Sequence, residues 1–197
     1  MKTNNKGKNF NIVIAGVGGQ GIITLTMLIA ESAFIEGYDV KTSELHGLSQ
    51  RGGSVQTHIR LGKKIYSPLV PLGEADLIIG LEVSEALRNI SYSNKNTLFF
   101  INENEIFYPG SLKKQEVVKK LNFLVDKKNV FLINASKICK EKFNKEVLAG
   151  VYLLGKAVFQ NAMPFKKESV LKAISRLFKK SNYQKLNKDS FLLAEKI

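Results

Sequence analysis

Two glycine-rich polar segments contain the residues of this sequence best suited to binding a ligand. The first segment, residues 16–21, follows an apolar run that predicts a buried strand and precedes a stretch that predicts a helix. Its candidate contact residues are Gly16, Gly18, Gly19, Gln20 and Gly21. The glycines fit the pattern Gly-x-Gly-x-x-Gly, which permits a tight turn and lets a phosphate group approach the backbone N–H groups at a helix N-terminus.

Three interpretations of the first segment are open at this point. The segment could contact a phosphate or cofactor, its glycines could serve close packing or contact with another subunit, or it could bind a dinucleotide. The dinucleotide interpretation needs an acid near the end of the second strand, and Glu44 stands there, 23 residues after Gly21. The additional glycine and amide in the turn, Gly19 and Gln20, weaken that interpretation, as does the polar segment around Glu44.

The second segment, residues 44–54, combines an acid, an imidazole, an amide and a guanidinium group between glycines. Its candidate contact residues are Glu44, His46, Ser49, Gln50, Arg51, Gly52 and Gly53. A purely connecting loop does not need so many groups that bind anions or pair across an interface. An alternative interpretation is that His46 is a hydrogen-bonded loop histidine and that Arg51 takes part in a surface ion pair. In an open α/β sheet both segments would lie beyond the carboxyl ends of neighbouring strands, where such sheets bind ligands or partners.

The composition limits the classes of function. The length of 197 residues suits a single domain spanning residues 1–197. Cys139 is the only cysteine in the sequence, so no thiolate set for an iron–sulfur cluster or structural zinc is present and no metal site is predicted. The net charge of +13 comes from lysines spread along predicted helices, which does not favour nucleic-acid binding. The polar N-terminal segment and the lack of an apolar run of about 18 residues predict a cytoplasmic chain without a membrane span.

Hydrophobic periodicity predicts alternating strands and helices. The predicted strands are Phe10–Ala15, Tyr38–Ser43, Val55–Leu61, Ala75–Leu81, Thr97–Ile101 and Val130–Ile133. The main predicted helices are Ile22–Glu36, Val83–Ile90, Lys114–Leu124, Glu146–Gln160 and Glu168–Phe178. Gly62-Lys63 resembles a hairpin turn into a further short strand, Lys64–Tyr66. We therefore predict an α/β fold, a three-layer α/β/α domain with a mainly parallel sheet and a small β-hairpin excursion near Ser54–Tyr66.

The two polar segments also resemble those of a known family. Gly-Val-Gly-Gly-Gln-Gly-Ile at Gly16–Ile22 and Ser-Glu-Leu-His-Gly-Leu-Ser-Gln-Arg-Gly-Gly-Ser-Val at Ser43–Val55 look like the gamma-type subunit of 2-oxoacid:ferredoxin oxidoreductases. The form Glu-x-His-Gly-x-Ser-Gln-Arg-Gly-Gly is most similar to the beta subunit of indolepyruvate:ferredoxin oxidoreductase. The similarity extends from about Phe10 to Ala194 and includes Ser67–Pro71, Gly73–Asp76, Gly80–Glu82, Glu85–Arg88 and Leu153–Gly155.

The resemblance implies a non-autonomous subunit of an oxidoreductase that acts on the oxo group of its donor, with an iron–sulfur protein as acceptor. The implied reaction is the oxidative decarboxylation of indolepyruvate or another arylpyruvate to aryl-acetyl-CoA, with electrons passing to ferredoxin. Thiamine diphosphate, magnesium and iron–sulfur clusters are expected on a larger partner subunit, and coenzyme A is expected as co-substrate. No catalytic residue is assigned to this chain. The first segment is expected to contact cofactor or partner, and the second to line the cleft for substrate or coenzyme A.

Two alternatives to this function are kept. The first changes the substrate to pyruvate, a branched-chain 2-oxoacid or 2-oxoglutarate, because nothing in the sequence forms a recognisable indole pocket. The second is a free-standing nucleotide-binding module without redox chemistry. A large co-purifying partner that carries thiamine diphosphate and clusters would favour the subunit, whereas nucleotide retained by the isolated chain would favour the module.

Overall fold

The computed structural model describes residues 9–47, 52–106 and 111–196, and this part of the chain forms six strands and seven α-helices. The strands are β1 Phe10–Val17, β2 Asp39–His46, β3 Ser54–Gly62, β4 Leu77–Gly80, β5 Leu98–Asn102 and β6 Val130–Ile133. The helices are α1 Ile22–Ile35, α2 Val83–Arg88, α3 Lys114–Leu124, α4 Ala135–Phe143, α5 Ala149–Phe159, α6 Lys167–Leu177 and α7 Ser181–Lys196. The predicted alternation of strands and helices is thus confirmed.

All six strands belong to one sheet in the order β2-β3-β1-β4-β5-β6. Strands β1, β4, β5 and β6 pair in parallel, whereas β3 is antiparallel to both of its neighbours, β1 and β2. The carboxyl ends of β1, β2, β4, β5 and β6 therefore lie at one edge of the sheet. This is the predicted three-layer α/β/α fold with a mainly parallel sheet.

Helices cover both faces of the sheet because its strands are apolar on both sides. In β1, Ile12 and Ile14 belong to a core shared with α1, α4, α5, α6 and α7, while Val13 on the opposite face belongs to a core shared with α2 and α3. Helix α5 is buried on most sides, as its apolar sequence predicts. Gly155 permits this close packing, because a Cβ added there would lie 2.6 Å from the Phe191 carbonyl oxygen.

The predicted hairpin excursion differs from the structure in its second arm. The antiparallel strand exists, but β3 pairs along its whole length with β1 and β2, and residues 64–66 form no strand. The segment that follows β3 is held instead by side chains of β3. Arg60 donates to the carbonyl oxygens of Ser67 and Leu69, and His58 Nδ1 accepts a hydrogen bond of 2.9 Å from the Val70 N–H. His58, which alternation predicts on the polar face of its strand, is consequently only 1% exposed.

Within the described residues, no helix combines the length and apolar character needed to span a membrane.

Candidate functional site at the carboxyl edge of the sheet

The two glycine-rich segments singled out from the sequence are in contact at the carboxyl edge of the sheet. Strand β1 ends at Val17, directly opposite Ser54, where β3 begins. The Gly18 N–H donates a hydrogen bond of 3.0 Å to the carbonyl oxygen of Gly53. Gly18 and Gly53 are 35 positions apart along the chain, and β-sheet pairing brings them together. They therefore form one surface.

The backbone of the first segment requires glycine at specific positions. Gly19 and Gly21 have φ of +101° and +80°, in the region that favours glycine, whereas Gly18 is outside that region. Gly16 permits close packing instead, because a Cβ there would lie 2.7 Å from Gln20 Oε1 and 3.0 Å from Leu81 Cβ. Helix α1 then begins at the same edge of the sheet, and no side chain caps the backbone N–H groups of its first turn.

Gln20 connects the ends of two strands. Its Oε1 accepts a hydrogen bond of 2.8 Å from the Val17 N–H, and its Nε2 donates to the Leu81 carbonyl oxygen at 3.4 Å. Val17 ends β1 and Leu81 directly follows β4, the neighbouring parallel strand. The amide of Gln20 therefore has an internal structural role, in addition to contributing to the wall of a pocket.

The second segment is described at its two ends. Glu44 and His46 are exposed in β2, the outermost strand, and His46 Nδ1 lies 3.3 Å from the Gly47 carbonyl oxygen. Gly52 has a φ of +71°, and Gly53 accepts the hydrogen bond from the first segment. The remaining candidate residues of this segment, Ser49, Gln50 and Arg51, lie outside the described residues.

The position of Glu44 does not fit a dinucleotide site. In a dinucleotide-binding fold the acid stands at the end of the strand adjacent to the glycine-rich turn. Here β3 lies between β1 and β2, so the prediction that the two segments follow neighbouring strands is wrong. Glu44 is separated from the end of β1 by a complete strand. This insertion removes the geometry on which the dinucleotide interpretation of Gly16–Gly21 depends.

A small polar pocket of about 130 Å³ lies beside the first segment. Its walls are Gly19, Gln20, Leu81, Asn102, Asn104, Ser136, Glu146, Val147 and Ala149. Asn102 ends β5 and Ser136 lies in the first turn of α4, and they form two hydrogen bonds: Asn102 Nδ2 donates to Ser136 Oγ at 2.8 Å, and the Ser136 N–H donates to Asn102 Oδ1 at 3.0 Å. The polar side chains of the pocket are three amides, the Ser136 hydroxyl and the Glu146 carboxylate, so the pocket can position a polar group.

Two buried carboxylates lie beyond the end of β4. Glu82 is 2% exposed, and its Oε2 accepts a hydrogen bond of 2.9 Å from the Glu85 N–H at the start of α2. Burial raises the pKa of Glu82, and backbone N–H groups, first that of Glu85, offset part of this effect. Glu85 in turn accepts a hydrogen bond from Ser54 Oγ. Ser54 is the last residue of the second glycine-rich segment, so α2 helps to fix the end of that segment.

Sequence reasoning did not select the polar residues that follow β4, β5 and β6. Glu82, Asn102, Asn104 and Ser136 all stand at or just after the carboxyl ends of these strands. The general rule that ligand sites of α/β sheets occur there would have indicated them. These residues are harder to recognise in the sequence, because single polar residues after apolar strands are common. Glycine-rich segments, in contrast, have a distinctive spacing.

The residues of this chain do not fit an iron–sulfur cluster. Cluster ligation takes several thiolates, and the single cysteine, Cys139, is fully buried with Sγ 3.7 Å from Ser190 Oγ. Burial also raises the pKa of the Cys139 thiol, which disfavours the thiolate. Among the described residues, no group of three or more His, Cys, Asp or Glu side chains could hold a metal ion.

Comparison with known proteins gives a consistent match. The model of the family described as "Pyruvate ferredoxin/flavodoxin oxidoreductase" matches residues 11–196. The indolepyruvate oxidoreductase subunit IorB of Archaeoglobus fulgidus is 40% identical over 176 residues, which cover 86% of each chain.

Solved structures share the fold at low sequence identity. The pyruvate oxidoreductase subunit PORC of Thermotoga maritima has a TM-score of 0.73 at 18% identity, with 96% of each chain covered. The 2-oxoglutarate:ferredoxin oxidoreductase of Magnetococcus marinus has a TM-score of 0.71 at 18% identity, and the match covers 96% of this chain but 31% of that one.

Proposed function

The chain belongs to the pyruvate ferredoxin/flavodoxin oxidoreductase family, and we propose that it is the smaller, non-autonomous subunit of a 2-oxoacid:ferredoxin oxidoreductase. The proposed substrate is indolepyruvate or a related arylpyruvate, because the Archaeoglobus fulgidus relative bears that name and is 40% identical over most of both chains. The products are then the aryl-acetyl-CoA and carbon dioxide, and the electrons pass to ferredoxin. The proposed location of the complex is the cytoplasm.

The observation that carries this proposal is the convergence of the two glycine-rich segments. The hydrogen bond of 3.0 Å between the Gly18 N–H and the Gly53 carbonyl oxygen joins them at the carboxyl edge of the sheet. This edge presents backbone N–H groups, amides and exposed polar side chains such as Glu44 and His46. Such a surface suits the wall of a cleft shared with another polypeptide that supplies the reactive cofactor.

Within this cleft we assign different contacts to the two segments. Gly18, Gly19, Gln20 and Gly21 face the cofactor or the partner subunit, whereas Gly16 is buried in β1 and serves close packing. Glu44, His46, Ser49, Gln50, Arg51, Gly52 and Gly53 face the substrate or coenzyme A. Thiamine diphosphate, with its magnesium ion, and the clusters belong to the larger subunit, which agrees with the single buried thiol of this chain. When bound, thiamine diphosphate supplies the carbanion chemistry of decarboxylation.

The assembled enzyme tests the proposed function directly. The tagged chain is purified from the cells that produce it, and thiamine diphosphate, iron and the reduction of ferredoxin are measured per mole of tagged chain. We expect a larger polypeptide that carries thiamine diphosphate and iron, with activity dependent on coenzyme A. A panel of indolepyruvate, pyruvate, a branched-chain 2-oxoacid and 2-oxoglutarate identifies the substrate class. Purification without thiamine diphosphate or iron, together with saturable NAD binding to the isolated chain, would overturn the proposal.

The proposed contact of Arg51 is tested by Arg51→Ala in the assembled enzyme. A charged hydrogen bond to phosphate or carboxylate contributes about 1.5–3 kcal/mol, so we expect turnover or coenzyme A dependence to worsen roughly tenfold or more. Lys185→Ala is the control, because Lys185 is an exposed cation on α7 whose loss removes only a surface ion pair with Asp189. Unchanged kinetics for Arg51→Ala would assign this side chain to the solvated surface.

A further inference from the structure

Helix α1 has an apolar outer face that the described part of this chain leaves exposed. Ile23, Met27 and Phe34 are 55%, 50% and 65% exposed. Their spacing of four and seven residues places them on one side of the helix. The helix contains a single charged residue, Glu31, which is paired with Arg176 of α6 at 2.8 Å. We refer to Ile23, Met27 and Phe34 as the α1 outer face.

The other sides of α1 are already occupied by this chain. Leu28, Ile29 and Ala33 are fully buried in the core above the sheet. The α5 residue Gly150 approaches Leu25 so closely that a Cβ at Gly150 would lie 3.3 Å from Leu25 Cδ2. A helix that is apolar on all sides is normally buried on all sides. Three large apolar side chains together on its remaining side therefore indicate an interaction surface rather than scattered exposure.

The α1 outer face is continuous with the candidate site. Helix α1 begins at Ile22, immediately after the glycine-rich turn, so Ile23 lies beside that turn. At the adjoining edge of the sheet, Glu44 and His46 are exposed and pair with Thr57 and Val55. These partners lie on the same face of β3 as Ile59, which packs in the α1 core. The end of β2, where the second glycine-rich segment begins, thus extends this surface.

We propose that the α1 outer face binds the larger polypeptide that carries thiamine diphosphate, an inference that rests on the proposed function. The occupant is a different polypeptide and not a second copy of this chain. In the Magnetococcus marinus structure, this fold makes up 31% of a longer chain, so there it is covalently joined to a larger remainder. The chemistry of the surface requires an apolar patch on the partner, with no charged group opposite Met27.

The proposed contact also explains why the α1 outer face differs in charge from the exposed apolar residues of α3. Helix α3 on the opposite face of the sheet also exposes apolar side chains, Phe123 and Leu124, but they share a groove with Lys119, Lys120 and Lys127. Helix α1 has no lysine or arginine in 14 residues of a chain that carries 30 of them. Charged residues are depleted at the core of protein interfaces, because an unpaired charge is costly to bury.

Site-selective labelling tests this proposal without disrupting the fold. The only natural cysteine, Cys139, is buried, so a surface cysteine can be labelled selectively. Ile23→Cys and Phe123→Cys are prepared in separate tagged chains, and maleimide labelling rates are measured in the isolated chain and in the assembled enzyme. We expect Ile23→Cys to react at least tenfold more slowly in the complex, whereas Phe123→Cys reacts at the same rate in both.

A charge substitution gives an independent measurement. Met27→Glu should reduce the thiamine diphosphate and iron recovered per mole of tagged chain by at least tenfold, while circular dichroism of the isolated chain stays unchanged. Phe123→Glu is the control and should retain both. Full cofactor recovery and equal labelling of Ile23→Cys would overturn this inference while leaving the proposed function intact. A wild-type chain that recovers neither thiamine diphosphate nor iron would overturn both. Dimerisation of the isolated chain that Met27→Glu abolishes, with cofactor recovery unchanged, would assign the face to a second copy instead.

Discussion

The amide of Gln20 is expected to stabilise the fold and not only to contact a ligand. We propose the substitution Gln20→Met, which keeps the length of the side chain but removes its amide. The Val17 N–H, now bonded to Gln20 Oε1 at 2.8 Å, would lose its acceptor in a residue that is 7% exposed. The weaker contact of Gln20 Nε2 with the Leu81 carbonyl oxygen, at 3.4 Å, would also be lost.

The expected loss follows from these contacts. A buried donor left without a partner costs about 1–3 kcal/mol. In a chain of this size, 1 kcal/mol lowers Tm by roughly 2–4 °C, so Gln20→Met should lower Tm by roughly 2–12 °C. Gln20→Glu should lower it less, because a carboxylate oxygen still accepts from the Val17 N–H and a negative charge is favourable near the start of α1.

The assay is thermal unfolding of the purified chain, followed by circular dichroism. Gln160→Met is the matched control, because Gln160 is an exposed glutamine at the end of α5 and its substitution should change the free energy of unfolding by less than about 0.5 kcal/mol. An unchanged Tm for Gln20→Met, together with reduced activity of the assembled enzyme, would refute the structural role and assign the amide to ligand contact.

Three further predictions concern backbone strain and buried ionisable groups. Gly19→Ala should destabilise the chain by about 1–2 kcal/mol in urea unfolding, because the φ of Gly19 is +101°. Gly47→Ala is the control and should leave the free energy of unfolding unchanged. A Cβ meets open space at both positions, so equal effects of the two substitutions would contradict this reasoning. Burial lowers the pKa of His58, so its imidazole in the folded chain should stay neutral below pH 6.5, with the proton on Nε2. The free energy of unfolding should therefore fall as the pH drops below 6.5, because only the unfolded chain takes up a proton there. A nitrogen-15 NMR spectrum that shows a protonated His58 at pH 6.5 would exclude this. Burial raises the pKa of Glu82 above its ordinary value of 4.5, so the free energy of unfolding should decrease as the pH rises above 4.5. Glu82→Gln should remove this pH dependence, and identical pH profiles for the two proteins would count against the reasoning.

The sequence predicted most of the helices and strands and the position of the two glycine-rich segments after strand ends, because both depend on local patterns. Continuous apolar runs predicted the buried parallel strands, and glycine spacing after the first strand predicted the turn into α1. The positive φ values at Gly19 and Gly21 fit that prediction. The paired glycine-rich segments also predicted the family, because their spacing is more distinctive than a single Gly-x-Gly-x-x-Gly pattern.

The sequence alone did not determine which strands are neighbours. The alternation in Val55–Leu61 predicts which side chains share a face of the strand, but it is equally compatible with a peripheral hairpin and with a strand inserted between β1 and β2. The insertion was decided by pairing between residues distant in the chain, such as Val17 with Ser54. That pairing separates Glu44 from the end of β1 and brings Gly53 to Gly18.

Burial of polar side chains was likewise decided by tertiary structure. His58 and Glu82 have no local pattern that distinguishes them from exposed residues of the same types, yet both are almost fully buried. His58 is covered because the segment after β3 folds back and donates the Val70 N–H to it. Gln20 forms hydrogen bonds with the backbone of Val17 and Leu81, at the ends of two strands that only the folded sheet brings together. Local sequence determines the conformations available to each segment, whereas hydrogen bonding between distant segments determines which side chains are left exposed at the carboxyl edge of the sheet.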